Sequence, residues 1–240
     1  MDGVFWELHS GFDREGPGDD ADTRRALALS GLSGRLDVID MAAGPGASTL
    51  VLLRDLPEAR VTALDRHEPF LEHARSRVEA AGNADRLTTV RADMGAPPVA
   101  PGSFDLIWCE GAAYMIGVPT ALAAWKPLLR PGGRIVFTEA VWLTDTPHPE
   151  AAAMWREYPA MSDAAGVRGW IAGAGYNLVG DFVLSDRAWD NYYAPHGERL
   201  DMLDAKHGAD HPVLLESRKD IEVRRDHGGD FGYAFFVAAP

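Results

Sequence analysis

One cysteine, Cys109, stands in a chain of 240 residues, so neither a disulfide framework nor a cysteine-built zinc cluster is available. Its place inside an apolar run points to packing rather than nucleophilic chemistry. Basic residues are also scarce, because 23 Lys and Arg face 36 Asp and Glu and leave a net charge of −13. Nucleic acid and anionic membrane are thereby excluded as main partners, since phosphate binding needs a basic footprint. No apolar stretch approaches the ~20 residues of a membrane span. The polar start Met1-Asp2-Gly3 does not read as a secretory signal, and a cytoplasmic address is expected. Internal repeats and low-complexity segments are absent, and no His-x-x-x-His pair or other helix-spaced ligand set supports a metal site. What remains, 240 residues at 46% apolar content, suits a single α/β domain over 1–240 with a sizeable core.

The most informative stretch present is Leu36-Asp37-Val38-Ile39-Asp40-Met41-Ala42-Ala43-Gly44-Pro45-Gly46-Ala47-Ser48-Thr49. An apolar strand runs through an acid into a glycine-bearing turn that opens a helix. Gly44 and Gly46 let the backbone turn sharply and approach a ligand, while the free N–H groups of the helix start face the same crevice. A carboxylate at the strand tip, Asp40, repels a pyrophosphate but suits a ligand carrying an ammonium group and hydroxyls. S-adenosylmethionine (SAM) has both and no phosphate. Thr49 occupies the place of the third glycine of a dinucleotide motif, and no Tyr-x-x-x-Lys pair is present, which disfavours a nicotinamide-dependent oxidoreductase.

Further strand–helix alternations follow at regular spacing. Helices are expected over 22–32, 48–56, 68–81 and 120–129, and strands over 60–65, 87–91, 103–109 and 135–142. Successive strands end at Asp40, Asp65, Asp93 and Glu110. Any one of these acids reads as a solvated loop residue, whereas four in succession at the ligand-binding edge of an open sheet do not. The turn Leu129-Arg130-Pro131-Gly132-Gly133-Arg134 leads into the 135–142 strand.

The acid-x-x-x-Gly-x-Gly segment and the Leu-x-Pro-Gly-Gly turn resemble motifs of the class I SAM-dependent methyltransferases. Ala42-Ala43 departs from the Gly-Cys or Gly-Ser of many members, a change between small residues that should leave the turn intact. The resemblance implies a Rossmann-like, seven-stranded, mostly parallel sheet with an antiparallel last strand, and SAM as cofactor. It carries Asp65 to the ribose hydroxyls, Asp93 to the adenine amino group and Met94 to the face of the ring. Ala42, Gly44, Gly46, Thr49, Arg66, Glu110 and Gly111 complete the expected core contacts within a SAM-binding unit over 35–145. The lone cysteine excludes the thiol-dependent arsenic methyltransferases of this family.

Two segments outside that unit are expected to choose the acceptor. Residues 1–34 hold Phe5, Trp6, Arg14 and Gly16-Pro17-Gly18, similar to the leader of a bacterial small-molecule subgroup resembling the ubiquinone/menaquinone methyltransferases, in which the leader folds over the SAM pocket. Arg14 and Gly18 are assigned to the cofactor and Trp6 to the acceptor. Helices are expected over 148–158 and 162–174, then a strand over 176–184 and a last strand from Phe231 to Ala238. The interval 186–230 is too long for a hairpin and reads as a helical cap with helices over 198–207 and 213–225. Glu110–Tyr114, Glu139–Trp142 and Trp189–Pro195 match pieces of the same subgroup. Tyr114, Trp142, Tyr192 and Tyr193 are thereby acceptor candidates, with Trp189 read as cap core.

Methyl transfer is an in-line displacement in which the protein mainly aligns the nucleophile and excludes water. A base is optional; Glu139 and His196 are the choices, ahead of Glu110 and His148. Acidic groups with aromatic rings suit a cationic amine, so the expected acceptor is a small molecule with an N or O nucleophile. A non-catalytic SAM-binding module is the alternative. No residue pattern points to an oligomeric state.

Overall fold

Hydrophobic alternation places the chain's β-rich segments in one eight-stranded sheet, in a computed structural model that describes residues 3–240. Met1 and Asp2 of the polar start lie outside the described residues. Helix α1 (Gly3–His9) and α2 (Asp20–Ser30) precede β1 (Asp37–Met41), α3 (Ala47–Asp55), β2 (Arg60–Asp65), α4 (Glu68–Ala80), β3 (Leu87–Arg91) and β4 (Phe104–Cys109). Then come α5 (Val118–Trp125), β5 (Leu129–Trp142), α6 (Pro149–Met154), β6 (Ser162–Asp163), α7 (Ala164–Gly173), β7 (Asn177–Val183), α8 (Asp186–His207), α9 (Pro212–His227) and β8 (Phe231–Ala239).

The order is β3-β2-β1-β4-β5-β8-β7, parallel except for β8, which inserts antiparallel between β5 and β7. Chain direction across the sheet reverses between β1 and β4, the switch point at which open α/β sheets bind ligands. Alternate residues of each strand feed two cores. Val38, Leu106, Trp108 and Phe235 pack with Leu52, Leu53 and Trp189 on one face. Ile39, Ile107, Phe137 and Phe236 pack with Leu122, Trp125 and Ile171 on the other. Val4 and Leu8 of α1 close a third cluster with Leu200, Leu203 and Leu214, so the N-terminal helix is fastened to the α8–α9 pair.

Several expectations shift. Helix α2 starts two residues early because Asp19 caps it, accepting the Ala21 N–H at 2.7 Å. Helix α5 stops at Trp125, where Lys126–Leu128 tightens into a 3-10 turn ahead of Leu129. The Pro-Gly-Gly turn is an irregularity inside β5, since Phe104 pairs with Leu129 while Leu106 pairs with Arg134. The seven expected strands gain an eighth, the two-residue β6 on the end of β5. Most different is the cap: Trp189–Pro195 joins the next helix in one 22-residue α8 that continues through Pro195. Proline removes the N–H that would have met the Asn191 carbonyl, and both residues are exposed, so water can serve that carbonyl. Among the described residues, no helix is long and apolar enough to cross a membrane.

Candidate functional site

Because β1 to β4 are parallel and adjacent around the switch point, their following loops converge. They enclose a cavity of about 520 Å³ lined by Ala42, Gly44 and Ser48 after β1, Asp65 and Arg66 after β2, Asp93 and Met94 after β3, and Glu110 and Gly111 after β4. The leader closes it from outside with Trp6, Arg14, Glu15, Gly16 and Pro17.

Polar groups in this cavity are held in place. Asp65 accepts the Gly44 N–H at 2.9 Å and the His67 N–H at 2.8 Å, one on each oxygen, so it fixes the glycine loop while keeping spare acceptor capacity. Glu110 accepts from Trp108 Nε1 at 2.8 Å, Thr23 Oγ1 at 2.9 Å and Arg14 at 3.2 Å. This ties the leader and α2 to the tip of β4. Asp93 accepts the Gly95 N–H and lies 3.7 Å from the exposed Arg66. Met94 is buried, with its carbonyl bonded by Trp125 Nε1 at 2.7 Å. Gly111 sits at φ 71 with its N–H bonded to Thr138 Oγ1.

Other expected cofactor residues stand behind the cavity wall. Asp40 is fully buried, and its Oδ2 accepts from Ser48 at 2.8 Å and Thr49 at 2.6 Å. These two hydroxyls start α3 and draw the carboxylate under the loop, so Asp40 and Thr49 shape the loop rather than line the cavity. Burial lifts the Asp40 carboxyl to about 7 against the opposing pull of those hydroxyls, and Oδ1 has no partner. Gly46, at φ 82, would place a Cβ 2.8 Å from the Ala74 Cβ. Its lack of a side chain serves the contact of α3 with α4, and Gly46 does not line the cavity. Gly44, at φ 54 with open space around its missing Cβ, lines the cavity. A side chain at Gly18 would strike the Arg14 guanidinium, so Gly18 makes room for the Arg14–Glu110 pair. Ala42 is the one non-glycine among the described residues with a left-handed backbone, φ 54.

Expected acceptor residues divide. Trp6 stacks on His67 with centroids 4.1 Å apart, meets Phe70 edge-on and lines the same cavity as Asp65. Tyr114 lies on the Ala113–Met115 turn just beyond Glu110 and packs on Tyr158 at 5.4 Å. Glu139 of β5 is fully buried and neither oxygen makes a hydrogen bond of normal geometry; burial raises its carboxyl to about 7, with the nearby Tyr158 hydroxyl opposing. Trp142 is partly buried against the β5 face that carries Val136 and Ala140. Tyr193 stacks on Trp189 and Tyr192 packs on Tyr193, with both hydroxyls pushed upward by burial. Tyr192 lines a second cavity of about 540 Å³ with Phe12, Asp13 and Arg77.

His196, expected as a base, does not line the cavity at the ends of β1 to β4. It is buried against Phe12, His9 and Tyr192, and its Nδ1–H donates to the Tyr192 carbonyl at 2.7 Å. Burial lowers it to about 4, so it is neutral and serves the packing of the leader on α8. His148 is exposed and caps α6 through Nδ1. With Glu150 and His227 it brings ligand-type atoms within 4.8 Å, but the two rings are stacked at 11°, so their in-plane lone pairs do not converge on one ion.

Sequence reasoning did not reach Glu15, His67, Phe70, Thr23 or Tyr158. Glu15 pairs with His9 at 2.7 Å and is raised by burial, with Oε1 unpartnered. Its proximity to Gly16-Pro17-Gly18 is the one signal that could have found it.

A glycine loop, three strand-end acids and an aromatic cover around one crevice define a protein that binds a nucleoside-bearing small molecule. The methyltransferase-domain family model matches residues 38–133. Trans-aconitate 2-methyltransferase of Paracidovorax citrulli is 32% identical over 191 residues, covering 73% of this chain and 69% of that protein. A ubiquinone/menaquinone biosynthesis C-methyltransferase of Paracoccus denitrificans is 40% identical over 103 residues, 42% of this chain, and the match spans 41% of that relative. A SAM-dependent methyltransferase of Geobacter sulfurreducens, solved with S-adenosyl-L-homocysteine, shares the fold at a TM-score of 0.84 and 21% identity, covering 100% of this chain and 98% of that one. The chain belongs to the class I SAM-dependent methyltransferases.

Proposed function

We propose that the protein moves the methyl group of SAM to a small-molecule acceptor, with the cofactor in the cavity at the ends of β1 to β4. The observation that carries this reading is the convergence of Gly44, Asp65, Asp93 and Glu110 on one crevice roofed by the leader. Asp65 takes the ribose hydroxyls and Asp93 the adenine amino group, with Met94 against the ring and Trp6 over the ribose side. The Arg14–Glu110 array meets the charged methionyl end, carboxylate to guanidinium and ammonium to carboxylate.

In-line displacement needs the nucleophile aligned behind the methyl carbon and water kept out. The N-terminal segment 1–34 acts as lid and the 186–230 insertion as cap, coupled through the α1–α8 contact. Tyr114 and Glu139 provide the acceptor side, with Glu139 the proton acceptor in place of His196. The relatives named above act on different acceptors, so the cofactor half is common to them and the acceptor half is this chain's own. Calorimetry with SAM, followed by detection of S-adenosylhomocysteine once a metabolite extract is added, tests the reading. SAM binding without any product would leave a non-catalytic module.

A further inference from the structure

The acids at the ends of β1, β2 and β4 have partners, and Glu139 inside β5 differs from them. Asp65 is held by two backbone N–H groups, Glu110 by Thr23, Trp108 and Arg14, and Asp40 by Ser48 and Thr49. Glu139 is as deeply buried as Asp40, yet neither of its oxygens makes a hydrogen bond of normal geometry, with the Tyr158 hydroxyl close by. A carboxyl in that position opposes folding unless a ligand completes it.

Its surroundings say which ligand. Glu139 lies on the β5 face shared with Phe137 and Val141, and the titratable groups close to it are Tyr114 from the turn after β4, Tyr158 from the turn after α6 and Cys109 of β4, while Tyr233 of β8 points to the other face beside Ala140. None is cationic. The Tyr114 and Tyr158 rings are tilted at 56° with centroids 5.4 Å apart, which makes two electron-rich walls beside the carboxylate. Met115, next to Tyr114 on the same turn, lines the cavity at the ends of β1 to β4, so the notch adjoins the lining of that cavity.

Resting on the methyl-transfer reading, we propose that this notch takes the acceptor and that the acceptor is an amine bound as its ammonium ion. The carboxylate supplies the counter-charge and the tyrosine faces supply cation–π contacts. An anionic acceptor would meet an unpaired like charge. An alcohol would leave the buried charge unbalanced. In the reaction the ammonium group passes one proton to Glu139, and the freed nitrogen lone pair forms a bond to the methyl carbon. The carbon–sulfur bond breaks with its electron pair going to sulfur, which leaves as a neutral thioether. The product is an N-methylammonium ion, and Glu139 returns its proton to solvent. A carboxyl lifted to about 7 exchanges protons readily near neutral pH.

The test uses methyl-labelled SAM and a bacterial metabolite extract divided by ion exchange into cationic, neutral and anionic fractions. Label is expected in the cationic fraction alone. Glu139→Gln should lower that labelling by about 100-fold, the scale of a lost acid–base group, at unchanged SAM affinity, and Glu139→Asp should restore part of it. Tyr114→Leu, a second variant that leaves the carboxyl in place, should lower labelling by at least about tenfold, as expected for a cation–π wall. Label confined to the neutral or anionic fraction overturns the amine assignment and leaves methyl transfer standing. Undiminished labelling by Glu139→Gln or by Tyr114→Leu overturns the notch. No label in any fraction, from protein that binds SAM, overturns the methyl-transfer reading and this proposal with it.

Discussion

Replacing Gly46 by alanine separates the two jobs of the glycine loop. At φ 82 a Cβ carries a left-handed backbone cost of about 1–2 kcal/mol. The same Cβ would lie 2.8 Å from the Ala74 Cβ and 3.3 Å from its Cα, an overpacked contact between α3 and α4 that costs about 1–3 kcal/mol. Gly46→Ala should therefore destabilise by about 2–5 kcal/mol in urea unfolding at constant m-value. Gly44→Ala, at φ 54 with nothing within 4 Å of its Cβ, should show only the backbone cost but lose SAM affinity, because that Cβ enters the cofactor cavity. Adding Ala74→Gly to Gly46→Ala should recover about 1–2 kcal/mol as a coupling energy, even though glycine in mid-helix is itself unfavourable. Equal stability losses at the two glycines, or no coupling with Ala74, would refute the assignment of Gly46 to helix packing.

Three further outcomes follow from the site. Ala42→Gly should stabilise the fold by about 1 kcal/mol, by removing the left-handed strain at φ 54, without weakening SAM binding; thermal unfolding and calorimetry check both parts. Asp65→Asn, chosen because Asp65 also holds the Gly44 loop, should weaken SAM binding by about 1.5–3 kcal/mol, and an unchanged affinity would remove Asp65 from the ribose. Glu139 is raised from its ordinary 4.5 to about 7, so the folded protein binds the extra proton and the penalty is absent below about pH 4.5 and complete above about pH 7. Glu139→Gln should therefore stabilise by up to about 3 kcal/mol at pH 8 and by little at pH 4, read from denaturant unfolding at both values; equal effects at the two pH values would contradict the buried-carboxyl account.

The cofactor side was legible because its residues sit at strand ends, where a short local pattern fixes both strand and tip. Asp65, Asp93, Met94 and Glu110 all line the cavity as that pattern implies. What the pattern lacks is side-chain direction: Asp40 has the right position, but the hydroxyls of Ser48 and Thr49 turn it beneath the loop. Gly46 likewise reads as a ligand glycine until Ala74, far along the chain, is seen against it. The cap was the least legible element. Pro195 reads as a break, but a proline on an exposed helix face costs only one hydrogen bond that water can replace, and α8 runs through it. Glu15 lies in an irregular segment with no period and Tyr158 at the very end of an expected helix, so only the fold brings them to the site.

The most direct test of the central claim is a crystal structure of the protein grown with S-adenosyl-L-homocysteine. The account predicts the ribose on Asp65, the adenine between Asp93 and Met94, and the sulfur pointing past Gly111 toward Tyr114 and Glu139. A ligand seated instead in the cavity beside Phe12, Asp13 and Tyr192, or a sulfur pointing away from Glu139, would contradict it.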